Sequence, residues 1–323
     1  MIQVVPAEGS LLEQVLDASY DLWNEGLSRR AYAQYFDAQV ATAWGRTHLR
    51  RWALVDSSDL LASAKTYAFA GTLDGRAISI VGIGAVFTQP SHRGRSHAAD
   101  LVERLLDRAA RSGADLALLF SEIGPEYYAR LGFTLLPTCD VTLHVVESPR
   151  HGAPAVLVRA GDDSDLAHVV EMGRTRAAPY RFHLDRDRDL VQYEIAKKRL
   201  LAALGSIGRR ELQFFVAEEG AAAVAYVVIE ASGQVWLLEE AGDRDPAGAR
   251  VGAILQVLIA RDPAAHRPTI RGWLPSGFCP PQVRIATRAP SAQAMMIRPL
   301  TARGEPLSPL SEEDVLFWHI DVF

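Results

Sequence analysis

Two arginines, a glycine and two serines lie in the stretch Thr88-Gln89-Pro90-Ser91-His92-Arg93-Gly94-Arg95-Ser96-His97-Ala98. The stretch stands between two apolar segments. Residues 78–87 (ISIVGIGAVF) are almost wholly apolar and predict a buried strand. In residues 98–110, Leu101, Val102, Leu105, Leu106 and Ala109 fall on one face of a helix. The turn therefore sits at a helix N-terminus, where the first amide N–H groups lack intrahelical partners and carry partial positive charge. Arg93 and Arg95 add full charges, so residue types and order together predict a cradle for phosphate, and a pyrophosphate is the natural guest.

Downstream comes a second apolar strand at 116–120, then Pro125-Glu126-Tyr127-Tyr128-Ala129-Arg130-Leu131-Gly132-Phe133, a short helix ending in glycine before another strand. The order strand, basic turn, helix, strand, Tyr-bearing helix and Leu-Gly-Phe resembles the GCN5-related N-acetyltransferase (GNAT) superfamily. Its phosphate turn usually reads R/Q-x-x-G-x-G/A. Arg93 and Ala98 match that pattern, and Ser96 stands where glycine is usual. Serine is small and carries a hydroxyl donor, at a cost in strain if the backbone must take positive φ. The fragments Leu61-Ala62-Ser63-Ala64-Lys65-Thr66-Tyr67, Ala85-Val86-Phe87-Thr88-Gln89-Pro90 and Phe120-Ser121-Glu122-Ile123-Gly124-Pro125-Glu126-Tyr127-Tyr128 are most similar to the fungal lysine N-acetyltransferase branch, over about residues 45–135.

The resemblance implies an α/β (α+β) GNAT fold, a mixed central sheet flanked by helices, and acetyl-CoA as cosubstrate. It implies cofactor contacts at Val86, Phe87, Thr88, Arg93, Gly94, Arg95, Ser96, His97 and Ala98, with pantetheine pairing along the strand before the turn. Acetyl transfer needs a base for the attacking amine, a donor for the tetrahedral oxyanion and an acid for the departing thiolate. Tyr128 occupies the family's tyrosine in the Y-x-x-L-G-F pattern and takes the acid's role, while Tyr127 points elsewhere on the helix. Glu122, just past the end of a strand, is the candidate base through water. Bulk water and the carboxylate of Phe323 remain alternatives, the latter from the enhanced-intracellular-survival acetyltransferases; residues 315–323 otherwise read as a plain final strand.

A boundary is expected where Pro, Gly and polar residues interrupt the apolar pattern, with units at 1–147 and 155–323 and a linker at 148–154. The second half echoes the first: strand 156–160, helix 166–170, a meander over 214–217, 223–229 and 235–240, helix 249–261 and strand 269–274. Its strand-to-helix turn, Gly242-Asp243-Arg244-Asp245-Pro246-Ala247-Gly248, is acidic and would repel pyrophosphate. Two tandem GNAT-like domains with a degenerate second are expected. The run 181–189, mixed in sign, reads as a solvated connection before a helix at 190–204.

Composition is that of a globular protein: 323 residues, 49% hydrophobic and 23% charged, with no apolar run near the roughly 20 residues of a membrane helix. Only Cys139 and Cys279 occur, too few for a disulfide framework or a cysteine zinc site, and no secretory signal opens the chain, so a cytoplasmic setting is expected. A net charge of −5 argues against general nucleic-acid binding. His92 and His97 lack a third ligand, and no metal is expected. The expected partner is an amine, a small molecule or a lysine side chain, and a homo-oligomer stays open. Trp23, Glu25, Tyr35 and Trp44 are candidate lining residues of the acceptor pocket. The competing function is a non-catalytic acyl-CoA-binding or regulatory protein.

Overall fold

The computed structural model describes residues 1–146, 157–206 and 208–323; the linker expected at 148–154 lies outside the described residues. The chain opens with β1 (Ile2–Pro6), α1 (Gly9–Trp23), α2 (Arg29–Ala41), α3 (Ala43–His48), β2 (Leu49–Asp56), β3 (Asp59–Leu73) and β4 (Arg76–Thr88). There follow α4 (His97–Arg111), β5 (Leu116–Ser121), α5 (Glu126–Ala129) and β6 (Thr134–Leu136). Next come β7 (Cys139–Val145), β8 (Leu157–Ala160), α6 (Leu166–Ala177), β9 (Phe182–Leu184), α7 (Arg188–Leu204), β10 (Glu211–Glu219), β11 (Ala222–Ser232) and β12 (Val235–Asp243). The chain closes with α8 (Ala249–Ile259), β13 (Thr269–Gly272), β14 (Val283–Pro290), β15 (Ala294–Pro299) and β16 (Val315–Leu316).

Two compact units result, neither contiguous in sequence. The first comprises Met1–Pro137, Ala292–Leu310 and Phe323; the second comprises Thr138–Ser291 and Ser311–Val322. A division at one linker therefore differs from what is found, because long-range strand pairing assigns segments against chain order. Residues 139–145 pair with β13 and β14 of the second unit, while 294–299 pair with β5 and β6 of the first.

In the first unit the strands run β1-β2-β3-β4-β5-β15-β6, antiparallel except for the parallel pair β4/β5. Local sequence starts its helices: the Ser28 side chain accepts from the Ala31 N–H and caps α2, and Thr42 accepts from the Gly45 N–H and caps α3. Helix α4 buries Leu101, Val102, Leu105 and Leu106 against Val81, Ile83, Ala117 and Leu119 on one sheet face. On the opposite face, Val15 of α1 packs with Ala53, Val55 and Leu60.

The second unit runs β8-β10-β11-β12-β13-β7-β14, with a parallel pair at β12/β13. Its order of pairings matches that of the first unit strand for strand. Its core includes Tyr226, Val228, Ile254, Leu258 and Trp318. The run 181–189 is a solvated connection only in part: Asp185, Asp187, Arg188 and Asp189 are exposed, whereas Phe182 and Leu184 of β9 are buried. The Arg186 side chain is 11% exposed and donates to Glu240 at 2.7 Å and Glu194 at 2.5 Å, with Asp321 3.5 Å away. Tyr226 also donates to Glu240. Glu194 is eight residues on, but Glu240 and Asp321 are remote in sequence, so local charge pattern could not reveal the cluster. Burial pushes the Glu194 carboxyl well above the usual range, against the pull of Arg186.

Residues 315–323 do not form a continuous strand either. After β16 the chain turns, and the Trp318 N–H donates to the Asp321 carboxylate at 2.8 Å. Lys197 donates to the Val322 carbonyl at 2.8 Å. Burial would push Glu239 up, but Lys198 at 2.7 Å and His319 at 3.2 Å hold its carboxyl down at about 2. Arg186→Met leaves three buried carboxylates facing one another and should cost about 3–5 kcal/mol of stability. Denaturant unfolding checks this, and a loss under about 1 kcal/mol would mean that the cluster carries little of the unit's stability.

Candidate active site

Strands β4 and β5 pair in parallel only from Ile80↔Leu116 to Ile83↔Leu119. Beyond that point β5 continues beside β15 to Ser121, whereas β4 stays with β3 to Thr88. The backbone of β4 from Gly84 onward is therefore unpaired on its β5 side. A bulge reinforces the parting: Lys65↔Gly84 is followed by Ser63↔Phe87, so β4 spends one more residue than β3. Ala85 within the bulge has φ +47°, a left-handed conformation uncommon for alanine. The expected contact residues Val86, Phe87 and Thr88 follow immediately. Phe87 is buried, and Val86 and Thr88 are half-buried.

The same strand delivers the chain to the basic turn. Arg93, Gly94, Arg95 and Ser96 are exposed, and His97 and Ala98 half-buried, at the N-terminus of α4. Ser96 is the N-cap with φ +61° and ψ +17°, and its hydroxyl makes no capping bond. Serine thus holds the left-handed conformation that glycine adopts without strain, and its hydroxyl faces outward uncommitted. His92 and His97 meet edge to face, ring centroids 6.0 Å apart.

The matching turn of the second unit is filled by its own carboxylate. Asp243 accepts from the backbone N–H of Asp245 and of Arg250, both at 2.8 Å, and from the Arg250 side chain at 3.2 Å. Two of the amides that could bind an anion there, those of Asp245 and Arg250, already hold one.

Tyr128 lies in α5 and is buried in the cluster with Leu101, Leu105, Ile83 and Leu119, against which Val86 and Tyr127 also pack. Burial, with a smaller contribution from Tyr127, pushes its phenol up to about 12. Tyr128 and Val86 thus border the same apolar cluster, and the Tyr128 ring meets those of Tyr127 and Phe133 at 4.9 and 6.0 Å. Tyr127 is half-buried, with Arg130 5.8 Å over its ring. Glu122 is exposed beyond the end of β5, its Oε1 3.5 Å from the Gln293 amide nitrogen. Ser121 donates to the Gly124 carbonyl at 2.7 Å, a structural task.

On the sheet face opposite α4, Tyr67, Phe69 and Phe120, which sequence reading missed, surround Phe323, whose carboxylate was the alternative base. The Phe323 ring packs with Tyr67 (centroids 4.5 Å), Phe69 (5.3 Å) and Phe120 (5.2 Å). A Cβ on Gly82 would stand 2.6 Å from this ring, and one on Gly84 3.1 Å from the Phe323 carbonyl oxygen. The signal available was the pair of glycines two apart in Ile-Gly-Ile-Gly, which empties one strand face for a ring. Of the expected lining residues, Trp44 joins this face, stacked on Phe69 at 5.3 Å. Trp23 and Tyr35 are half-buried and Glu25 is exposed.

Residues 10–136 match the model of the acetyltransferase (GNAT) domain. The first unit has the GNAT fold. The solved GCN5-related N-acetyltransferase from Anabaena variabilis is similar to this chain with TM-score 0.70 at 10% identity, over 93% of this chain and 73% of that one. The corresponding protein from Kribbella flavida gives TM-score 0.69 at 18% identity, over 94% and 72%. Saccharomyces cerevisiae N-myristoyltransferase, solved with bound myristoyl-CoA, gives TM-score 0.55 at 10% identity, over 92% and 82%. Curated proteins give no match to the sequence. In this GNAT fold no helix among the described residues is long and apolar enough to cross a membrane.

The left-handed Ser96 yields a stability prediction. Ser96→Gly relieves about 1–2 kcal/mol of strain and costs about 0.4–1 kcal/mol in unfolded-chain entropy, so the variant should be level with the parent or up to about 1 kcal/mol more stable. Ser96→Val, β-branched at positive φ, should be less stable than both. Thermal unfolding of the three forms checks the order. A Ser96→Gly variant clearly less stable than its parent would contradict the strain.

Proposed function

We propose that the first unit transfers an acetyl group from acetyl-CoA to a primary amine by direct attack. The observation that carries this reading is the strand β4 itself. Its free edge past Gly84 and the basic α4 N-terminus at its end present, in line, a backbone for pantetheine amides and a cradle for pyrophosphate. The GNAT match and the myristoyl-CoA bound by a structural neighbour support an acyl-CoA cosubstrate.

In this reading the amine nitrogen bonds to the thioester carbonyl carbon while main-chain N–H groups at Val86–Thr88 face the developing oxyanion. The C–S bond then breaks. The proton lost by the amine leaves through water to Glu122, and the thiolate receives one at Tyr128, whose phenol at about 12 is fully protonated in the working range. The acceptor is a small-molecule amine or a lysine-like side chain, as the fungal resemblance implies. The second unit, with the same order of strand pairings and its turn occupied by Asp243, is a degenerate GNAT-like copy that binds no CoA. We place the protein in the cytoplasm.

Arg93→Ala with Arg95→Ala should weaken CoA binding by about tenfold or more per arginine lost. Calorimetry reads this directly, and unchanged affinity would remove the cradle from the site. Tyr128→Phe keeps the ring and its packing but loses the hydroxyl. It should lower kcat by about 10²–10⁴-fold with little change in CoA affinity or melting temperature. Tyr127→Phe should be close to silent. In the parent, no loss of kcat from Tyr128 ionisation should appear below about pH 11, one unit under its raised pKa. Wild-type turnover by Tyr128→Phe would make Tyr128 a packing residue. Tight CoA binding without transfer to any amine would favour the non-catalytic alternative.

A further inference from the structure

The sheet face that carries Tyr67, Phe69 and Phe323 also buries a cation. Arg51 of β2 is 3% exposed. Its Nη2 donates to the Ser19 hydroxyl at 3.1 Å, and Ser19 lies 3.3 Å from the Tyr32 hydroxyl. Its guanidinium stands 5.9 Å over the Phe36 ring, and Lys65 stands 5.5 Å over the same ring. The Arg51 Nε and Nη1 are buried and meet no acceptor. Among the described residues no carboxylate pairs with this guanidinium; burial acts on it most, pulling its pKa down, followed by Tyr32, which also hydrogen-bonds it, and Tyr67. A buried charge without a counter-charge is costly, and arginine keeps its proton rather than escape that cost. The burial of Arg186 in the second unit, among three carboxylates, shows the arrangement that Arg51 lacks.

The position of Arg51 gives the missing anion a meaning. Arg51 pairs with Lys65 across β2/β3, and Lys65 with Gly84 across β3/β4. Arg51 therefore stands two strands, about 10 Å, from the point where β4 leaves β5. It lies on the face covered by α1 and α2, where Ser19, Tyr32 and Phe36 are buried. We propose that Arg51 anchors a carboxylate of the acceptor, so that the substrate is an amine that also carries an acid group, an amino acid rather than a plain amine. This rests on the acetyltransferase reading. Ser19 and Tyr32 orient the guanidinium from behind, and its remaining N–H groups fix the acceptor so that its amine reaches the β4 bulge. Tyr67 and Phe323 flank the aliphatic part.

The test uses matched amines, β-alanine against ethylamine and lysine against cadaverine, with acetyl-CoA. The parent should show kcat/KM about 10- to 100-fold higher for each acid-bearing member, the range expected of a hydrogen bond to a charged partner. That ratio should fall to near one in Arg51→Met and to an intermediate value in Arg51→Lys, which keeps the charge without the fork. A parent without preference, or an Arg51→Met variant that keeps it, overturns the proposal. Should Arg51→Met fail to fold, an undiminished ratio in Arg51→Lys overturns it and a reduced one supports it. Should no amine be acetylated, the acetyltransferase reading fails separately, and calorimetry of N-acetyl-β-alanine decides. Binding to the parent that the variants lose supports the anion site, and equal or absent binding overturns it.

Discussion

Parallel pairing of β4 with β5 stops at Ile83 and Leu119, and the free edge that remains on β4 organises the whole first unit. Buried backbone N–H and C=O groups require partners, so a sheet that opens in its middle must either fill the opening or offer it to a ligand. The bulge at Ala85 keeps β3 and β4 together while turning β4 away from β5. From there the chain has no choice but to enter the turn at Arg93–Ser96 and start α4 with its unpaired amides facing outward. Tyr128 belongs to the same apolar cluster that seats α4 on the sheet.

The two units show how one strand order can keep or lose an anion site. In each, a strand, a turn with a left-handed N-cap, a helix and a parallel strand follow one another; the caps are Ser96 with φ +61° and Gly248 with φ +70°. The difference lies in one carboxylate. Asp243 reaches the Arg250 amide in the first turn of α8, while the N-cap side chain of α4 makes no capping bond. A protein carboxylate at a helix N-terminus is favoured by the same dipole that would favour phosphate, so the two compete for one position. The same logic sets Arg186 apart from Arg51: one cation is surrounded by fixed carboxylates, the other by hydroxyls and rings.

Local signals were legible where chemistry is local. The apolar strand before the turn, the amphipathic spacing of α4 and the Tyr-bearing helix were all readable from residue spacing, and the structure places them as α4 at His97–Arg111 and α5 at Glu126–Ala129. What escaped depends on contacts between residues far apart. The exchange of β7 and β15 between units turns on pairing preferences that no local pattern encodes. Arg186 looked solvated because its neighbours in sequence are charged, whereas its partners Glu240 and Asp321 arrive from elsewhere and only Glu194 is near in sequence. Arg51, inside an ordinary strand pattern, gave no sign that it would be buried without an acid. Phe323 looked like the end of a strand because its preceding residues are apolar, but Gly82 and Gly84 make room for its ring.

Amide hydrogen exchange with and without acetyl-CoA tests the central claim most directly, because it reads the free edge and the helix start without altering either. Protection should appear at amides 84–88 along β4 and 94–99 in the turn and first turn of α4, with none at 243–250 in the second unit. Protection at 243–250, or unchanged exchange at 84–88 under saturating acetyl-CoA, would contradict the assignment of the β4 edge as the acyl-CoA site.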